Sequence, residues 1–272
     1  MLIAQITDLH VTRAGELLAG RVDTRAALNK CVARLARLEP RPDLLLITGD
    51  LTETATDEEY AYLKAALAPL GLPYYVVPGN HDDRATMRRA FPGMAAAEAG
   101  AEDAPFCVAA AQPDWPLRLI GLDSIVPRRS EGALCAQRLA WLAAQLDQAD
   151  AARPALIFMH HPPFRTGIAP MDACGLLQGL DEFRALVTAK AGRIAGILCG
   201  HVHRVIHAAI GGVPVLLAPS SAHQITLDLR EAAPLGFCLE PAKIVLHDWR
   251  PETGLVSNYV YIDDFPGPYP FK

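Results

Sequence analysis

Asp43-Leu44-Leu45-Leu46-Ile47-Thr48-Gly49-Asp50 is a short apolar run that stops at a glycine and a carboxylate. A run of this length, branched in its side chains and bounded by Gly, predicts a buried strand. The same figure recurs along the chain. Leu2 to Ile6 runs into Thr7-Asp8-Leu9-His10, and Tyr74 to Val77 into Pro78-Gly79-Asn80-His81-Asp82. Leu117 to Leu122 ends at Asp123, Ala155 to Met159 at His160-His161-Pro162-Pro163, and Ile194 to Cys199 at Gly200-His201-Val202-His203.

Helical patterns lie between these runs. Residues 24–38 place Leu28, Val32, Leu35 and Leu38 at three- and four-residue spacing. Thr56 with Glu59 predicts a capping box opening a helix that carries Tyr60, Leu63 and Leu67 and ends near Pro69. Leu139, Leu142 and Leu146 form another apolar stripe, as do Phe183, Leu186 and Val187. Strands alternating with helices of this length predict an α/β sheet with covered faces. Beyond His203 the pattern changes: residues 205–217, with a turn at Gly211-Gly212, and residues 244–262 predict strands joined by hairpins or loops. Asp263 to Lys272 is irregular, and residues 93–105 are either a short helix or a loop. No internal repeat and no domain linker is visible.

The 272 residues are enough for one domain with a sizeable core, and 51% apolar against 20% charged side chains exclude a disordered chain. The formal net charge of −5 argues against a dedicated nucleic-acid or anionic-membrane surface. No apolar run approaches a membrane span of roughly 18 residues, and the N-terminus lacks a basic stretch and a cleavage-like site. Cys31, Cys107, Cys135, Cys174, Cys199 and Cys238 are scattered and form no C-x-x-C pair. They predict reduced, mostly buried thiols in a cytoplasmic protein.

In open α/β sheets, ligands bind beyond the carboxyl ends of the strands. Five such ends present Asp8 with His10, Asp50, Asn80 with His81, His160 with His161, and His201 with His203. Of the nine histidines in the chain, six fall in these stretches, a clustering that random scatter would not produce. Imidazole, carboxylate and one amide, with no thiolate, suit Mn, Fe(II), Co or Zn. The ligands exceed what one ion needs, so two adjacent divalent ions sharing a carboxylate are expected, and ions roughly 3.5–4 Å apart can clamp an in-line phosphoryl displacement. Their charge, set against Asp8, Asp50 and a bridging hydroxide, leaves the site positive enough to attract an anionic substrate. His207 and His247 lie in strand-like stretches without partners and are expected at the surface or in the core.

The order Asp8-Leu9-His10, Gly49-Asp50, Gly79-Asn80-His81-Asp82, His160-His161-Pro162-Pro163, Gly200-His201-Val202-His203 resembles the calcineurin-like metallophosphoesterases. Within them it is similar to the class III cyclic nucleotide phosphodiesterases and the bacterial glycerophosphodiesterases. Any one motif alone is an ordinary turn; five in order with one ligand chemistry are specific. The resemblance implies a four-layer α/β/β/α sandwich. It implies a metallophosphoesterase core over 1–224, followed by a small β-rich extension over 225–272 that completes the sheet and is a candidate to cap the site or dimerise. By resemblance, Asp8, His10 and His203 hold one metal ion, Asn80, His160 and His201 hold the second, and Asp50 bridges them. His81 then stabilises the phosphate or protonates the leaving oxygen, and Asp82 and His161 orient their neighbours. The nucleophile implied is a metal-bridging hydroxide. Ser220-Ser221-Ala222-His223-Gln224 resembles a further segment near the family's site, and His223 stands between site and surface.

The activity implied is hydrolysis of small phosphodiesters: glycerophosphodiesters, with 3′,5′-cyclic AMP as the alternative. The Asp-Arg-Gly arginine of phosphoprotein phosphatases is missing from Gly49-Asp50-Leu51-Thr52-Glu53, and no basic track suits a nuclease. Arg13 and Arg21, in the loop after the first motif, are candidates to reach a second polar group of the substrate, with simple solvation as the alternative. Both branches commonly form dimers or larger homo-oligomers, into which Phe265, Tyr269 and Phe271 would fit. A second alternative, a non-catalytic metal-binding scaffold, typically loses ligands, and none is missing here.

Overall fold

The computed structural model describes residues 1–95 and 104–271. The elements in chain order are β1 (Leu2–Ile6), α1 (Thr24–Ala36), β2 (Leu44–Thr48), α2 (Asp57–Leu67), β3 (Tyr74–Val77), α3 (Arg84–Ala90), β4 (Val108–Ala110) and β5 (Arg118–Leu122). Then come β6 (Gly132–Ala133), α4 (Ala136–Asp147), β7 (Ala155–Met159), α5 (Ala169–Asp172), β8 (Leu176–Gln178), α6 (Leu180–Ala189) and β9 (Ile194–Cys199). The chain closes with β10 (Ile206–Ile210), β11 (Val213–Leu217), β12 (Gln224–Ile225), β13 (Phe237–Cys238), β14 (Lys243–Arg250) and β15 (Gly254–Tyr261).

Two mixed sheets face one another, ordered β15-β14-β1-β2-β3 and β10-β11-β9-β7-β5-β4. Their centres are parallel: β1 with β2, β2 with β3, β5 with β7, β7 with β9, and β9 with β11. The antiparallel pairs lie toward the edges, where β14 and β15 extend the first sheet beside β1. Strand β7 shows why the sheets stack. Successive side chains point to opposite faces, so Leu156 and Phe158 join the core between the sheets while Ile157 and Met159 join the core shared with Leu142, Leu146, Phe183 and Val187 of α4 and α6. Leu28, Cys31 and Leu35 of α1 and Tyr60, Leu63 and Leu67 of α2 cover the first sheet. The result is the four-layer α/β/β/α sandwich.

Local sequence sets the helix ends. The Asp23 side chain accepts from Ala26 N at 2.9 Å to cap α1, and Thr56 and Glu59 form the reciprocal capping box of α2. Pro69 sits in a 3-10 turn, Ala68–Leu70, just past the end of α2. Of the 93–105 segment, residues 96–103 lie outside the described residues. Cys31, Cys107 and Cys199 are buried, Cys174 and Cys238 half-buried, and Cys135 is exposed; half of the thiols, rather than most, are buried. Phe265, Tyr269 and Phe271 are exposed and do not pack into their own core. Among the described residues no helix is long and apolar enough to cross a membrane.

Candidate metal centre

The parallel centres of both sheets deliver their carboxyl ends to one place. Asp8 and His10 follow β1, Asp50 follows β2, Asn80 and His81 follow β3, His160 and His161 follow β7, and His201 and His203 follow β9. The turns that carry them are unusual. Asp8, His10, Asp50, His201 and His203 all have positive φ, and only Ala19, Ala55 and Arg128 share this among the other non-glycine residues described. A left-handed backbone is costly for such residues and collects where a site over-determines it. Two glycines let the loops meet: a Cβ on Gly79 would stand 2.2 Å from the Asp50 backbone nitrogen, and one on Gly200 would stand 2.1 Å from Thr7 Oγ1.

The ligand atoms gather around two foci. Asp8, His10, Asp50 and His203 offer ligand atoms that lie within 4.8 Å of one another, with His10 Nε2 at 3.3 Å from His203 Nε2 and His203 Nε2 at 3.3 Å from Asp8 Oδ1. At the second focus Asn80 Oδ1 lies 3.1 Å from both His160 Nε2 and His201 Nδ1, which are 3.3 Å apart. One oxygen reaches both: Asp50 Oδ2 is 3.6 Å from His10 Nε2 and 3.4 Å from His160 Nε2. Its other oxygen accepts from His81 N at 2.8 Å.

Each imidazole is held by its outer nitrogen. His10 Nδ1 donates to Glu53 Oε2 at 2.8 Å, His160 Nδ1 to Thr48 O at 2.9 Å, and His203 Nδ1 to His223 O at 3.1 Å. His201 Nε2 meets Cys174 Sγ at 3.6 Å. Fixing the outer N–H leaves the inner nitrogen with its lone pair aimed at the focus, the arrangement of imidazoles that hold metals. His161 differs. Its Nε2 donates to Ser130 O at 3.0 Å and its Nδ1 accepts from Ser124 Oγ at 2.8 Å. Both nitrogens are therefore committed, and burial followed by the neighbouring His160 pushes its pKa down to about 3.

The two buried carboxylates are ionised. Desolvation would raise Asp8 and Asp50, yet His203 beside Asp8 and His160 beside Asp50 outweigh it and hold both below the ordinary range. Conversely, burial would lower His160, but Asp50 and then Asp8 raise it to about 9. The cluster attracts positive charge. Two buried anions, four inward imidazole nitrogens and an amide oxygen at contact spacing fit divalent cations that take N and O ligands.

Around the ligands, Asp82 accepts from Leu51 N, Gly79 N and Tyr60 OH at 3.0, 2.9 and 2.8 Å, pinning the loop after β3 to the loop after β2. His81 is partly exposed; its Nδ1 donates to Glu53 O at 3.1 Å, and its pKa is raised because Asp50 and Glu53 outweigh its burial. His223 is buried with its ring centroid 4.5 Å from that of His203, and its Nδ1 has no hydrogen-bond partner among the described residues. Ser220 places it: Ser220 Oγ donates to Asp8 O at 2.7 Å and accepts from Ala222 N at 3.0 Å. Arg21 stays exposed on the turn closed by Leu18 and Val22, and no hydrogen bond or ion pair among the described residues joins it to the cluster. Asp123 is not brought to the foci; it is buried against Arg84 and Arg138. His247 is fully buried and His207 exposed.

Glu53 and Cys174 touch the candidate ligands His10 and His201, and Ser124 holds His161, without having been singled out from the sequence. Glu53 alone carried a signal, since it stands three residues after Asp50 in a loop that already bears a ligand.

Comparison with known proteins agrees with this architecture. The family model for calcineurin-like phosphoesterase matches residues 1–205. A probable glycerophosphodiester phosphodiesterase, GpdQ, of Arcobacter nitrofigilis is 38% identical over 271 residues, covering 100% of this chain and 97% of that protein. A probable cyclic nucleotide phosphodiesterase of Rhodopseudomonas palustris is 34% identical, covering 82% of this chain and 79% of that one. The 3′,5′-cyclic adenosine monophosphate phosphodiesterase CpdA of Pseudomonas aeruginosa is 32% identical, covering 82% and 77%. A solved purple acid phosphatase from yellow lupin seeds superposes with a TM-score of 0.66 at 12% identity, over 96% of this chain and 51% of that one, a likeness of fold. From the five strand-end motifs to the match over most of its length, the chain belongs to the calcineurin-like phosphoesterase family.

Proposed function

We propose that the protein is a metal-dependent phosphodiesterase that hydrolyses small phosphodiesters, with glycerophosphodiesters as its substrate class. The observation that carries this is the position of Asp50 Oδ2, within 3.6 Å of imidazole nitrogens from both foci. Asp8, His10 and His203 would hold one divalent ion, Asn80, His160 and His201 the second, and Asp50 would bridge them; Mn, Fe, Co and Zn all suit these donors. When bound, such ions supply positive charge to phosphoryl oxygens and make water acidic enough to act as nucleophile near neutral pH.

The chain's own residues do the rest. His81 is tethered at Nδ1 by Glu53 O, which leaves Nε2 free to donate to a phosphoryl or leaving oxygen. His223, buried beside His10 and His203, keeps Nδ1 without a hydrogen-bond partner among the described residues. A cavity of about 640 Å³ opens next to Asn80 and His81, large enough for the substituents of a small diester. Among the described residues no Phe, Tyr or Trp lines it, which favours a glycerol or headgroup substituent over a nucleobase that would stack. The full-length similarity to the A. nitrofigilis protein supports the same choice. Hydrolysis of 3′,5′-cyclic nucleotides is the second reading, supported by the R. palustris and P. aeruginosa relatives.

Six unpaired thiols support a reducing, cytoplasmic setting, and the exposed Phe265, Tyr269 and Phe271 support a homo-oligomer. Protein loaded with Mn, Fe(II), Co or Zn should cleave bis(p-nitrophenyl) phosphate and glycerophosphoethanolamine faster than p-nitrophenyl phosphate. Cyclic AMP as the better natural substrate would replace the first reading with the second. Bound metal without turnover of any ester would leave a metal-binding scaffold.

A further inference from the structure

Arg128 lines the cavity that opens beside Asn80 and His81. Its backbone is left-handed, with φ of 61°. The amide of Arg129 donates to Val126 O at 3.1 Å, which makes Pro127 and Arg128 the two central residues of a four-residue turn. Proline followed by a residue of positive φ is the type II pattern, whose third position ordinarily takes Gly or Asn. An arginine there accepts backbone strain that glycine would avoid. Of the seven other positive-φ non-glycine residues described, five are the candidate metal ligands Asp8, His10, Asp50, His201 and His203.

The loop that carries Arg128 is anchored on both sides. Ile125 pairs with Gly132 in an antiparallel bridge, and Ser130 O accepts from His161 Nε2 at 3.0 Å. Ile125 O also accepts from Arg84 Nη2 at 2.8 Å. Among the described residues, the acidic side chains and the second arginine of the cavity wall are committed. Arg84 grips Asp123 through Nε and Nη2 at 2.7 and 3.0 Å. Asp83 caps α3 by accepting from Thr86 N at 2.9 Å, and Asp82 is held by the donors named above. Arg128 is exposed and has no hydrogen bond or ion pair among the described residues. A guanidinium without a partner among the described residues, carried on an anchored turn in the wall of the cavity that Asn80 and His81 also line, is a ready carboxylate receptor. With Asp82 and Asp83 in the wall, one added negative charge is easier to accept than the two of a phosphate monoester.

We propose that Arg128 is a specificity-determining residue: it holds a carboxylate on the phosphodiester substituent that extends from the reacting phosphate into this cavity. The assignment rests on the phosphodiesterase reading and narrows it to diesters of carboxylate-bearing alcohols, such as a glycerophosphodiester of a hydroxy amino acid.

Glycerophosphoserine and glycerophosphoethanolamine differ only in that carboxylate. Metal-loaded wild type should show the higher kcat/KM for glycerophosphoserine, and Arg128→Gly should shrink the ratio about tenfold or more, as loss of a charged hydrogen-bond partner does. Arg128→Lys, which keeps the charge but not the fork, should retain part of the ratio. Arg128→Gly suits its turn, so its melting temperature should stay within about 2 °C of wild type. A ratio near unity in wild type, or one unchanged in Arg128→Gly because both substrates fall together or neither does, overturns the proposal while leaving the phosphodiesterase standing. Should wild type hydrolyse neither diester, calorimetric binding of O-phosphoserine against phosphoethanolamine decides. Tighter binding of O-phosphoserine that Arg128→Gly abolishes keeps the carboxylate site and removes the enzyme reading; equal binding removes both.

Discussion

Glu53 Oε2 lies 2.8 Å from His10 Nδ1, so a carboxylate that coordinates nothing in this scheme fixes which nitrogen of His10 faces the cluster. Partners of this kind set tautomer, ring orientation and basicity of a ligand. Glu53→Ala should weaken metal binding by about 10–100-fold, the usual cost of losing such a partner. Competitive titration with a chromogenic chelator measures it, and unchanged affinity would leave Glu53 with only a structural role.

Asp50→Ala and His81→Ala should part company. Removing the carboxylate shared by both foci should abolish metal binding and turnover together. Removing His81, whose ring is tethered at one nitrogen only, should spare the metal content and lower kcat by about 10²–10⁴, the range of a positioned acid–base group. Metal stoichiometry by elemental analysis beside steady-state kinetics separates the two cases.

Asp123 is fully buried and accepts from Arg84 and Arg138. Asp123→Ala would remove the buried carboxylate that both guanidiniums share, and breaking a buried pair in this way costs about 3–5 kcal/mol. Urea unfolding should show that loss. It should also lower activity, because Arg84 then no longer fixes the cavity wall at Ile125.

His247, which is not among the candidate ligands, gives the folded chain a pH dependence of its own. It is fully buried, donates from Nε2 to Gln5 Oε1 at 2.9 Å and accepts at Nδ1 from Ser257 Oγ at 2.7 Å. Burial, assisted by His207, pushes its pKa down to about 3. An unfolded histidine titrates near 6.5, so between these values the unfolded state binds the extra proton and folding loses stability as pH falls. The slope from this one group is about 1.4 kcal/mol per pH unit below about pH 6.5, and it vanishes above that pH. His247→Gln should remove that share of the slope when urea stabilities are compared from pH 4.5 to 8. Parallel pH profiles for the two proteins would contradict the assignment.

Much of the site was legible in the chain because parallel strands end in sequence-contiguous turns. Asp8 and His10, Asn80 and His81, and His201 and His203 each occupy a single loop, so residue type and order sufficed to name them. The glycines of the motifs were legible as turns, but not as contacts. Gly200 has to be glycine because Thr7 and Asp8, nearly two hundred residues earlier, occupy the space of its Cβ. His223 stood between site and surface in the sequence, and burial beside His203 placed it.

What the chain determined by itself was local: the strand and helix periods, the capping box at Thr56 and Glu59, and the supply of imidazole and carboxylate at strand ends. These follow from side-chain spacing and hydrogen-bonding capacity within a few residues. What only the tertiary structure decided was the partner of each group. His161, directly after His160 in sequence and with a ring nitrogen within 4.8 Å of those of His160 and His201, is not left as a ligand because Ser124 and Ser130 take both of its nitrogens. Asp123 ends a strand as Asp50 does, yet two arginines from distant elements claim it. A side chain's role depends on which lone pairs and protons remain unclaimed, and that is settled when the two sheets close on each other.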